Sequence, residues 1–170
     1  MLARNETIIK WSLYAAASLL GVLTQGAVLQ RLEWFGVIPF IFPLLPAIPA
    51  TMESSRSGTV FALCVGVFCD LLLPAPLPCF YTLIFPFAGL FAALLSESIL
   101  PAGYLCSSVA AAFSFFLTGC FHIFLLWTEG KTAGSAALRV MALEFALTFP
   151  AVFPMTALYR WVYLRTHLDD

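Results

Sequence analysis

Runs of apolar residues separated by isolated charges set the plan of this chain. Residues 11–30 carry no charge and follow Arg4 and Lys10; residues 34–52 form a second uncharged run between Glu33 and Glu53. From 57 to 96 the run is interrupted only by Asp70 and by the prolines Pro74, Pro76 and Pro78, which divide it into 58–73 and 79–95. A fifth stretch covers 103–127, and a sixth covers 140–159 with Glu144 inside it. Each is close to the roughly 20 residues a helix needs to cross a bilayer. The pattern predicts an all-α, polytopic integral membrane protein: one transmembrane domain over residues 1–170, with about six spans and short loops. Six spans take up about 120 residues, so activity is expected within the helices or their connections. The first run follows a basic segment, as a secretory leader does. It is too long for one and has no small-residue cleavage site, so it reads as a retained span.

Composition agrees. The chain is 62% hydrophobic and 10% charged, where a soluble domain carries about 25% charged residues. Its mean hydropathy is +0.98. Too few polar side chains exist to cover the surface that a domain of this size exposes. A net charge of −1 excludes a general electrostatic grip on nucleic acid. Lys and Arg in short loops favour the cytoplasmic side. With the N-terminus inside, that side holds Arg4, Lys10, Arg56, Arg160 and Arg165, against Arg31, Lys131 and Arg139 outside. Both termini are therefore expected in the cytoplasm.

Small and polar residues line up on particular faces. Gly58, Ala62, Gly66 and Asp70 recur every four residues in the third span, which keeps them on one side of a helix. Such a stripe lets a neighbouring backbone approach closely. It ends at Asp70, a carboxylate that is either hydrated at the helix end or engaged in an ordered interaction within the bundle. The fifth span repeats the pattern with Ala110, Ser114, Thr118 and His122; His122 reads first as a packed, hydrogen-bonded residue and only second as a ligand. Glu144 stands in the sixth span one turn before Thr148, and Arg139 precedes that span. Asp70, His122, Arg139 and Glu144 all fall toward the outer side, which suggests a shared polar site for a partner or an internal contact. No nucleophile motif, metal box or phosphate loop accompanies them, so no catalytic residues, metal or cofactor are assigned. The five cysteines contain no C-x-x-C pair and read as packing residues. Pro39, Pro43, Pro46 and Pro49 fall on one side of the second span. A helix with four prolines must be kinked or partly unwound and shielded by the bundle, or must face a polar cavity.

The run Ser57-Gly58-Thr59-Val60-Phe61, continued by Gly66-Val67-Phe68-Cys69-Asp70-Leu71, resembles the third helix of the rod-shape-determining MreD family, with its G-x-x-x-D-L ending. A proline late in the last span (Pro150 or Pro154), followed by Arg160 and Arg165, also looks like that family. The turn after the aspartate differs: Leu77-Pro78 stands where the family has leucine–glycine. The resemblance implies a non-enzymatic inner-membrane component of the bacterial elongation complex. It would bind the bitopic protein MreC and work with the RodA glycosyltransferase and its paired transpeptidase in peptidoglycan synthesis. The substrate-binding S subunits of energy-coupling-factor vitamin transporters, similar in size and helix number, are the alternative. Apolar short loops favour the first reading.

Overall fold

The computed structural model describes residues 2–31, 36–73, 77–130 and 134–166. Among these, α1 runs Leu2–Ala27, α2 Leu44–Ala50, α3 Ser55–Leu72, α4 Phe80–Ser98, α5 Tyr104–Thr128, α6 Gly134–Thr148 and α7 Val152–Thr166. A 3-10 turn at Phe149–Ala151 joins α6 to α7, giving one apolar rod of 33 residues, Gly134–Thr166. Pro150 and Pro154 account for that joint, since neither has an N–H to continue the helical ladder. Five segments are long and apolar enough to cross a membrane: α1, α3, α4, α5 and the α6–α7 rod. The predicted all-α polytopic membrane architecture is the observed one.

The outer surface is apolar, as lipid requires. Leu23, Val60, Leu83, Phe87, Leu105 and Phe124 are among the large hydrophobic side chains left exposed. The interior is dominated by aromatic and small residues, with Tyr14, Phe85 and Tyr159 fully buried. α1 and α7 run antiparallel, since Ser18 meets Tyr159 at 2.8 Å and a Cβ on Gly21 would reach the Met155 side chain. Both ends of the described chain therefore lie toward one face. Lys10 marks that face, bonded to Glu53 at 2.7 Å, with Tyr14 donating to the same carboxylate at 3.1 Å.

The second predicted span is corrected. Of 34–52, residues 34 and 35 lie outside the described residues, 37–41 are not helical, and only Leu44–Ala50 forms a helix. The segment nevertheless traverses the bundle, from Gln25 near the far end of α1 to Glu53 beside Lys10. About five extended residues at ~3.3 Å and nine helical or turn residues at ~1.5 Å make about 30 Å, the thickness of the hydrocarbon core. Every residue from 41 to 51 is buried. The prolines explain the form. Pro39 lies in the non-helical part and Pro43 caps α2. Pro46 takes the third helical position, where an N–H has no partner within the helix anyway; Pro49 sits near the end of α2. What results is a crossing half unwound and enclosed from residue 41 onward, with Ile38 exposed at its start.

Candidate functional site

Asp70 lies at the centre of the best-defined polar arrangement. α4 starts behind Cys79, a residue with φ 62 whose side chain caps nothing. The cap comes from the neighbouring helix instead. Asp70 Oδ1 accepts the Tyr81 N–H at 2.9 Å; Oδ2 accepts the Thr82 N–H at 2.8 Å and the Thr82 hydroxyl at 2.6 Å. These amides belong to the first turn of α4, where no intrahelical acceptor exists and the helix dipole favours negative charge. The opposite end mirrors this. Glu97, near the end of α4, accepts the Ser55 N–H at the start of α3 at 2.7 Å. The two antiparallel helices thus cap each other, each with a carboxylate placed near its own C-terminus.

The small-residue stripe makes this geometry reachable. A Cβ on Gly66 would lie 2.7 Å from the Tyr81 carbonyl oxygen and 2.9 Å from Thr82 Cα. Only glycine admits the α4 backbone at that level, one turn before Asp70. Ala62 faces Gly89, where an added Cβ would overlap the Ala62 methyl. Gly58 lies against α2, with Ala50 Cα 3.1 Å from a Cβ placed there. The stripe is a packing face throughout, and Asp70 makes an ordered interaction within the bundle.

A second polar set surrounds the unwound crossing. The Gln25 side chain, buried in α1, donates to the Pro39 carbonyl at 2.7 Å and accepts the Ile41 N–H at 2.9 Å. This is the pairing one strand offers another, supplied by one amide. Thr148 of α6 accepts the Phe40 N–H at 2.9 Å, and Ser114 of α5 donates to the Pro43 carbonyl at 2.7 Å. Three helices therefore satisfy backbone groups that α2 cannot satisfy itself, as a non-helical segment at membrane depth requires. At the other end of α2, Ser96 donates to the Thr51 carbonyl at 2.6 Å.

The third feature is a cavity of about 140 Å³ lined by Phe40, Tyr81, Thr118, His122 and Glu144, among others. It joins two of the residues expected to share a polar site, His122 and Glu144. His122 also meets the Phe80 ring edge-on at 6.3 Å between centroids. Asp70 turns instead to the α4 amides. Arg139 is exposed and does not line the cavity. Five residues separate it from Glu144, about 140° around a helix, so the two point to different sides. The cavity has room for a few water molecules and is well below the 300–1,000 Å³ of typical small-molecule sites. Among the described residues, no cluster of three or more His, Cys, Asp or Glu could hold a metal ion.

Sequence reasoning missed Gln25, Glu97 and Thr82. Gln25 had a signal: an amide within an otherwise apolar span must find partners there. Glu97 and Thr82 had none, because their roles depend on the register between two helices.

Fold and site together define a multi-pass membrane protein whose polar groups serve mainly to hold its own helices. No family model, curated protein or solved structure matches the chain.

Proposed function

We propose that this protein is a non-enzymatic component of the bacterial cell-elongation complex, similar to the MreD family. In this reading it sits in the inner membrane with both termini in the cytoplasm and binds an MreC-like bitopic partner. Through that partner it organises the RodA-type glycosyltransferase and its transpeptidase. The observation that carries the reading is the G-x-x-x-D-L ending of α3, in which Gly66 and Asp70 act jointly on one neighbouring backbone. A motif with both residues committed to one contact is a unit of architecture, which suits an assembly protein. The transporter alternative is less well supported, because the polar cavity of about 140 Å³ cannot enclose a vitamin-sized ligand.

The test is affinity purification of the tagged chain from mildly solubilised membranes of its own cells, with depletion of the chain in parallel. The expected result is recovery of the MreC-like protein and rounding of depleted cells. Unchanged rods after depletion, with no MreC-like protein recovered, would overturn the proposal. Recovery of a transporter ATPase pair would replace it with the alternative.

A further inference from the structure

The cleft between α1 and α3 has the shape and chemistry of a lipid site. The two helices meet through side chains at the terminal face, where Trp11 stacks on Phe61 at 5.7 Å. Outside that contact runs a groove of about 620 Å³ whose walls include Trp11, Val60 and Cys64. A second hollow of about 330 Å³ continues it toward Val22 and Phe68. The two share Ala15, Phe61 and Cys64. From Ser57 to Phe68 the path follows about eleven helical residues, roughly 16 Å. That is the depth of one leaflet's hydrocarbon, about half of a 30 Å core.

The mouth is polar and the depth is not. Ser54, Arg56 and Ser57 line the outer end, with the two serine hydroxyls 2.8 Å apart. Arg56 is exposed and makes no ion pair among the described residues. Among the described residues, Glu53 is already engaged by Lys10 and Tyr14, and Glu97 by the Ser55 N–H. A guanidinium with no ion pair among the described residues, at the interfacial end of a chain-length apolar groove, is complementary to the phosphate of a lipid whose acyl chain fills the groove. We propose that the α1–α3 groove holds one anionic phospholipid in the leaflet at the terminal face, its phosphate on Arg56 and one acyl chain along Cys64 toward Phe68. The site is independent of the proposed function.

Native mass spectrometry of the purified full chain tests this. The probes are phosphatidylglycerol and phosphatidylcholine of equal chain length. The expected result is a preference for phosphatidylglycerol of about fivefold, the effect of one basic residue at an anionic surface. Arg56→Gln should abolish the preference, while Arg160→Gln, outside the groove, should leave it. Cys64→Trp, which fills the groove, should weaken both lipids. Equal binding of the two lipids by the unaltered chain would overturn the proposal. So would a preference that survives Arg56→Gln, or one lost equally with Arg160→Gln. Binding of glycerol phosphate alone as strong as that of the lipid would mark a simple anion site and overturn it as well.

Discussion

The α3–α4 hairpin and the proline-rich crossing solve the same problem in opposite ways. A bilayer offers no water to satisfy backbone groups, so each must find a partner in protein. The hairpin meets the demand locally. The two helices satisfy most of their own interiors, with Pro86 interrupting the ladder in α4, glycines bring them close, and Asp70 and Glu97 complete the helix starts. The crossing has given up that self-sufficiency. Its prolines leave carbonyls and amides at 39–43 that depend on Gln25, Ser114 and Thr148, drawn from α1, α5 and α6. The hairpin's capping bonds stay within one pair of elements, while the bonds at 39–43 of the crossing tie three others together. Damage to the first should remain local; damage to the second should spread.

The largest effect is expected at Gln25. Gln25→Leu strands a buried carbonyl and a buried N–H, each worth about 1–3 kcal/mol. Loss of stability should be about 2–5 kcal/mol, read as a lower unfolding midpoint in detergent. Protease susceptibility should rise in α1, α5 and α6 together. Cleavage confined to α1 would show that the crossing does not tie the helices.

Next comes Gly66→Ala, whose methyl meets α4 backbone and cannot be relieved by a rotamer change. It should cost about 1–3 kcal/mol, with new cysteine accessibility between α3 and α4 and none near Pro43. An unchanged midpoint would show that the hairpin can slide.

Asp70→Asn should be milder, about 1–2 kcal/mol, because an amide keeps one acceptor where the carboxylate has two. Combined with Gly66→Ala it should be markedly less than additive, since a displaced α4 has already left the carboxylate. Combined with Gln25→Leu it should add fully. Equal additivity in the two pairs would erase the distinction between the regions.

The smallest effect is expected at Gly26, where a Cβ meets nothing within 4 Å. Gly26→Ala should be neutral or stabilise by up to ~1 kcal/mol through helix propensity. A loss there would mean that α1 needs flexibility at its end.

The sequence carried the five long spans because each is an apolar run of membrane length with few charges, most of them near its ends. The Gly58–Asp70 stripe was legible for the same kind of reason: spacing by four fixes a face whatever lies opposite. What lay opposite was not legible. That Asp70 reaches Tyr81 and Thr82 depends on how the turn after α3 returns the chain. The crossing was half legible: four prolines forbid a regular helix, but which helices would supply the missing bonds is a matter of three-dimensional order. Grouping Arg139 with Glu144 failed because it ranked residues by depth and neglected their angle around the helix.

The dependence of the crossing on distant side chains also bears on how the protein is made. Phe40 leaves the ribosome 108 residues before Thr148, and Pro43 leaves 71 residues before Ser114. At about 5–20 residues per second, roughly 5–20 s of synthesis separate Phe40 from its partner. During that interval the segment has Gln25 but not its other partners, so it cannot settle among lipid tails. Its backbone groups at Phe40 and Pro43 need water or other protein as partners until α5 and α6 arrive. The hairpin needs no such delay, since Asp70 and Thr82 emerge 12 residues apart. The partners that complete the third and fourth crossings are thus synthesised before those that complete the second.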